Sequence, residues 1–320
     1  MLNSIVKQEF PLNKVELIIV DDGSKDNTLK IVQEFLKENS ERFYRVELIV
    51  HDKNYGVSKA RNDGIKTSRG RYILILDHDV ILSRETIRSL LEYLERTPQK
   101  IAAVKPLLIN EEGSFLSRWA EQILSNRLVK TNDITACALV RREVIEEIGY
   151  YDETLGPPYT IYEDIEYGAR ALSKGYEIHV LGWLKIRHLT RYKKVRRDTL
   201  HHSNFLTRLR TILRSLASSS YRYALRKYLS SAPLSYKFRW GLYSIISPVL
   251  IISLITFIFG TNIPLITLLI LVFILYLDVL KQYWNPKIPH ISLAYSSIAL
   301  AWRIIRGTTL LIPLKTWHSK

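Results

Sequence analysis

Apolar and polar positions alternate along the first 190 residues in a repeating order. VELIIVDD (15–22) is a short continuous apolar run that ends in acids, and SKDNTLKIVQEFLKE follows with a Ser24 cap and apolar positions Leu29, Val32, Phe35 and Leu36 at helical spacing. The order then repeats. RVELIVHD (45–52) has the strand pattern, NYGVSKARNDGIKTS the pattern of a loop and helix, and RYILILD (71–77) that of a third strand. Strands alternating with helices predict an α/β domain around a mostly parallel central sheet. Further on, IAAVKPLLI (101–109) and TACALV predict strands, RREVIEEIG a helix, YEDIEYGARALSKGY a helix with Ile165, Ala169 and Leu172 on one face, and EIHVLGWLKIRH a last strand.

After residue 190 the pattern changes twice. Lys185 to Trp240 holds fifteen Lys and Arg against one acid, Asp198, whereas residues 1–184 are slightly acidic. From Gly241 to Leu277 no residue is charged, and GTNIP (260–264) interrupts the run with turn residues. This predicts two transmembrane helices joined as a hairpin. Basic residues at both flanks, including Lys281 and Lys287, place the flanks and the acidic half on the cytoplasmic side of a cell membrane. Ile291 to Leu314, with Arg303 and Arg306 on one face, predicts an interfacial helix or a third span. The expected organisation is therefore a catalytic domain over 1–190, a basic juxtamembrane linker over 191–240, two membrane helices over 241–280 and a membrane-associated segment over 281–320. Basic charge concentrated beside an apolar stretch points to membrane lipids as the partner rather than nucleic acid. The lone cysteine, Cys137, sits in an apolar run and reads as a core thiol.

The chemistry gathers at the strand ends. Asp21 and Asp22, Asp52, then Asp77 and Asp79 each close a predicted strand, the edge at which α/β sheets bind ligands. Two carboxylates at D-x-D spacing suit a hard divalent cation bound through oxygen, and such a cation binds a diphosphate. His78 between them falls on the opposite strand face. The loop from Asn54 adds Gly56 for close backbone approach and Lys59 and Arg61 for phosphate. Glu163 and Asp164 open a helix, where acids also serve simply as dipole partners.

In order and spacing, IIVDDGSKDNT, NYGVSKARNDG, LILDHD, GYYDE and YEDIEYGARALSKGY resemble family 2 glycosyltransferases with the GT-A type nucleotide-sugar-binding fold. The resemblance covers residues 1 to about 190. It implies transfer of a sugar from a nucleotide-sugar donor with inversion, assisted by magnesium or manganese, onto a lipid-linked or glycan acceptor. Carried over residue by residue, Asp22 with Asp21 contacts base or ribose, Asp77 lies nearer the ribose and Asp79 lies on the metal. Asp164 is the general base with Glu163 as its substitute, and His188 completes the metal site. The family pattern begins with an apolar strand and a Pro- and Asn-containing loop, whereas Met1 here falls in the helix that follows them, so the first strand is expected to be missing. A catalytically inactive, nucleotide-sugar-binding membrane scaffold is the alternative reading.

Overall fold

The computed structural model describes residues 1–111, 115–134, 136–155, 163–189, 226–244, 246 and 263–308. In chain order the elements are α1 (Leu2–Ile5), β1 (Glu16–Asp21), α2 (Thr28–Asn39), β2 (Arg45–Val50), α3 (Val57–Thr67), β3 (Tyr72–Leu76), β4 (Val80–Ile81), α4 (Thr86–Glu95) and β5 (Ile101–Asn110). They continue with α5 (Phe115–Leu124), β6 (Leu128–Thr131), β7 (Cys137–Arg141), α6 (Arg142–Ile148), α7 (Glu163–Ser173), β8 (Glu177–His188), α8 (Ile263–Tyr283) and α9 (Pro289–Thr308). Two compact units result, residues 1–112 with 125–191, and residues 113–124 with 192–320.

The first unit has an α/β fold, but its sheet is mixed rather than mostly parallel. β1 and β2 pair parallel, from Glu16 opposite Arg45 to Asp21 opposite Val50, and form a sheet of their own. β3 leaves them. It joins a six-stranded sheet in the order β3-β7-β5-β8-β4, with β6 also on β8, and there only β5 and β8 run parallel. Strand-helix alternation encodes each element but not its partner, and β3 finds its match in β7, where Leu74 faces Leu139 and Leu76 faces Cys137. Cys137 is fully buried, as expected of a core thiol.

Apolar side chains from both sheets supply the core. Leu17, Leu90, Leu94, Val104, Leu139 and Leu181 belong to one cluster, and Ile73, Ile75, Val140, Val144, Tyr167 and Ile178 to a second. Each such burial contributes roughly 1.5–3 kcal/mol. At the start of the chain, buried Gln8 donates to Ser83 O at 2.7 Å and accepts from Ile87 N at 3.0 Å. The first residues are thereby tied to the segment that follows β4.

Three local expectations are corrected. Ser24 does not cap α2, which starts at Thr28. Its hydroxyl donates to Asp21, because the chain turns sharply after β1. The residues most deeply buried on α7 are Glu166 to Ala169 and Ala171, a face offset from Ile165 and Leu172, since Tyr167 inserts into the core and stacks on Tyr151 at 3.9 Å. His78 lies in a turn rather than on a strand face, and Val80 N donates across that turn to Asp77 O at 3.3 Å.

In the second unit α8 and α9 pack around Tyr243, Ile246, Leu268, Leu275, Val279 and Leu300. Asn285 Nδ2 donates to Ile123 O at the end of α5. Much of the expected linker, 191–225, and most of the first hairpin helix, 247–262, lie outside the described residues, as do 309–314. The second hairpin helix corresponds to α8, which begins at Ile263 and runs past Asp278 and Lys281. Among the described residues no helix is long and apolar enough to cross a membrane. Leu269, Ile270, Phe273, Ile274 and Leu277 of α8 are all exposed.

Candidate active site

The turn after β1 and the loop after β2 are knitted by carboxylates. Asp21 is buried and accepts from the Ser24 hydroxyl and, at 3.3 Å, from Ser24 N. Asp22 accepts from Tyr55 N at 2.9 Å and Gly56 N at 2.7 Å, so its side chain shapes the Asn54–Gly56 loop. Gly23 lies between them at φ +72°, and a Cβ there would stand 2.5 Å from the Lys53 carbonyl carbon. Only glycine permits both that backbone angle and that approach.

His51 completes this network. Its Nδ1 lies 2.7 Å from Asp22 and its Nε2 3.0 Å from Asp63, which Lys59 also meets at 2.5 Å. Burial works against the imidazolium, but hydrogen bonds to the two carboxylates prevail and its pKa is raised. Lys59 thus has Asp63 as its partner on the same helix face. Neither His51 nor Asp63 was singled out in the sequence, although the Lys59–Asp63 spacing of four on a helix was a usable signal.

A second cluster brings two predicted carboxylates onto one guanidinium. Arg61, on α3, donates to both oxygens of Asp77 at 2.9 and 3.2 Å and to Glu163 at 3.2 Å. Its side chain is 9% exposed and lies 5.3 Å from the Tyr151 ring. Although burial opposes the charge, Tyr151, Asp77 and Glu163 keep the guanidinium protonated and its pKa raised. Neighbouring Asn62 is buried and donates to Tyr151 O and Glu153, both at 2.9 Å, which fixes α3 against the chain before α7. The strand end carrying the D-x-D pair and the helix start carrying the E-D pair are joined in this way.

Asp79 and His188 meet across β4 and β8. His188 Nε2 lies 3.3 Å from Asp79 Oδ2, and its Nδ1 lies 2.8 Å from Asn110 Oδ1. An amide oxygen only accepts, so Nδ1 carries the proton and Nε2 is left to face Asp79. Among the described residues no group of three or more His, Cys, Asp or Glu is arranged to hold a metal ion. A carboxylate oxygen and an imidazole nitrogen 3.3 Å apart do fit a divalent cation that takes its other ligands from a diphosphate and water.

Asp164 sits at the N-terminus of α7, where Ile165 N donates to its Oδ1 at 2.8 Å. Burial, then the charges of Glu163 and Asp133, push its pKa up to about 6, while Lys105 and Arg61 act in the opposite direction. A carboxylate in that range can be deprotonated at neutral pH and still accept a proton usefully.

Comparison with known proteins follows the geometry. Residues 1–149 match the family described as glycosyl transferase family 2. The chain is 27% identical over 136 residues to the poly(ribitol-phosphate) beta-N-acetylglucosaminyltransferase TarS of Staphylococcus aureus (strain Mu50), covering 41% of this chain and 23% of that protein. It is 27% identical over 188 residues to the poly-beta-1,6-N-acetyl-D-glucosamine synthase of Staphylococcus epidermidis, covering 55% and 43%. It is 26% identical over 186 residues to the glycosyltransferase AglE of Haloferax volcanii, covering 55% and 57%. The chain thus spans less than two thirds of the length of each of these relatives.

Among solved structures, S. aureus TarS 1–349 in complex with UDP superposes with a TM-score of 0.50 at 17% identity, over 72% of this chain and 60% of that one. The mannosyltransferase PcManGT from Pyrobaculum calidifontis, in complex with GDP-Man and Mn2+, gives 0.51 at 16% identity, over 97% and 81%. These likenesses show a shared GT-A-like α/β fold with a mixed sheet. That fold and the clustered carboxylates agree with the match of residues 1–149, a little under half of the chain, to glycosyl transferase family 2.

Proposed function

We propose that this protein transfers a sugar from a nucleoside-diphosphate sugar to a hydroxyl of a glycan or lipid-linked acceptor, by single displacement with inversion, at the cytoplasmic face of a membrane. The observation that carries this reading is the convergence of Asp77, Arg61 and Glu163 beside Asp164, whose pKa of about 6 suits a proton acceptor. Asp22 and the Asn54–Gly56 backbone that it organises would receive the nucleoside. Asp77, steered by Arg61, would face the ribose. Asp79 and His188 would hold magnesium or manganese, which when bound neutralises charge on the departing diphosphate. Asp164 would take the proton of the incoming hydroxyl, and a single base opposite the leaving group gives inversion.

The relatives support a glycan-type acceptor, since the names of two of them describe N-acetylglucosamine transfer to poly(ribitol phosphate) and synthesis of a poly-N-acetylglucosamine. The exposed apolar face of α8 and the basic residues before it support attachment to a membrane surface. The test is Asp164→Asn, which keeps shape but cannot take a proton. Donor binding by calorimetry should be unchanged while transfer falls by roughly 100-fold or more. Undiminished transfer would remove Asp164 from the role.

A further inference from the structure

Lys105 is a lysine in the wrong kind of place. It lies within β5, in a run that is otherwise apolar from Ile101 to Ile109, and is only 5% exposed. An ammonium group there is costly unless paired, and if filling space were the only task an apolar residue of the same length would serve better. Its Nζ meets the carboxylate of Asp133, which also accepts from the Thr131 hydroxyl. Thr131 closes β6, and Asp133 lies in the short segment between β6 and β7.

That short segment also holds the start of α7. Ile134 N donates to the Asp164 carbonyl at 3.2 Å. The Asn132 carbonyl lies so close to Gly168 that any Cβ at that position would collide with it. An unbroken path therefore runs from Lys105 through Asp133 and the 132–134 backbone to the helix end that carries Asp164. Resting on the reading of Asp164 as the base, we infer that the buried Lys105–Asp133 pair is a positioning device for it, fixing the N-terminus of α7 and setting the balance of charge around the carboxylate.

The charged and titratable groups acting on Asp164 are Glu163 beside it on α7, Asp133 and Lys105 from the segment and strand beneath, Arg61 from α3, and Tyr151. Glu163 and Asp133 resist its ionisation, whereas Lys105 and Arg61 favour it. Arg61 is shared between Asp77 and Glu163, so Lys105 is the cation that offsets Asp133. Replacing Lys105 by an uncharged residue would leave the Asp133 carboxylate acting on Asp164 without compensation. Asp164 would then hold its proton to higher pH.

The experiment uses the full chain carrying Lys105→Met, Lys105→Arg or the pair Lys105→Met/Asp133→Asn, with Asp164→Asn as reference. Two readouts are taken: the pH profile of nucleoside diphosphate released from UDP-GlcNAc or GDP-mannose with water as acceptor, and titration of [13C]carboxyl-labelled aspartate, the Asp164 resonance being identified by its loss in Asp164→Asn. Lys105→Met should move the Asp164 titration and the acid limb of the rate upward by about one pH unit. The rate near pH 6 would fall roughly fivefold and recover near pH 8. Lys105→Arg should keep the wild-type midpoint, and the double variant should return to it because both charges are gone. A uniform rate loss with an unmoved Asp164 titration in Lys105→Met, or a shift that persists in the double variant, would overturn the inference. Full turnover in Asp164→Asn would instead overturn the reading of Asp164 as base, and the aspartate titration would still test the coupling to Lys105.

Discussion

Arg61→Met is the most informative single perturbation of the site. The wild-type guanidinium makes three hydrogen bonds to two carboxylates, with Asp77 at 27% side-chain exposure and Glu163 at 13%. Methionine keeps most of the aliphatic volume while losing the guanidinium that lies over the Tyr151 ring, so the change removes the charged head alone. Removing one partner of a buried ion pair costs about 3–5 kcal/mol, because the remaining charge stays desolvated. Asp77 is exposed enough to rehydrate in part, which brings the expectation to the lower end, about 3 kcal/mol. For a unit of this size that corresponds to a fall in Tm of roughly 6–12 °C at neutral pH. Calorimetry would measure it on the transition of the first unit. A loss below about 1 kcal/mol would refute the claim that Arg61 joins the two acidic elements.

Two further outcomes follow from the surrounding network. His188→Ala removes the imidazole nitrogen that faces Asp79, so Mn2+ binding in the presence of UDP, followed by electron paramagnetic resonance, should weaken by roughly 10-fold or more, and unchanged binding would exclude His188 as a ligand. The raised pKa of His51 means that its clamp between Asp22 and Asp63 stabilises the fold fully below its unfolded value and loses that contribution as pH rises through the folded value. Asp63, whose pKa is lowered by Lys59 and His51 against the effect of burial, loses its share only as pH falls through its folded value in the acid range. His51→Gln should therefore reduce stability at mildly acidic pH and converge with wild type at alkaline pH, and parallel stability curves would count against the clamp.

Most strands and helices of the first unit were legible from residue patterns, because short apolar runs and 3.6-residue periodicity are local properties. The order IIVDDGSKDNT, NYGVSKARNDG, LILDHD and YEDIEYG likewise carried the resemblance to family 2 glycosyltransferases, whose family model residues 1–149 match. Partner choice was not legible. β3 looks like a third parallel strand, yet it pairs antiparallel with β7, whose residues lie more than sixty positions downstream. Side-chain roles were equally nonlocal. Arg61 and Lys59 read as phosphate ligands, and the fold gives them Asp77, Glu163 and Asp63 as partners.

The amino-acid sequence by itself determined the local elements, the acids at the strand ends and the contrast between an acidic first half and a basic, then apolar, second half. Tertiary structure decided which charges meet. Lys105 in an apolar strand and Asp133 in a connecting segment have no visible relation along the chain. Only folding, which places β5 beneath the 131–134 segment and that segment against α7, brings them together. The reason is physical: a buried charge requires a partner within a few ångströms, and in a mixed sheet that distance is set by strand order rather than by separation along the chain.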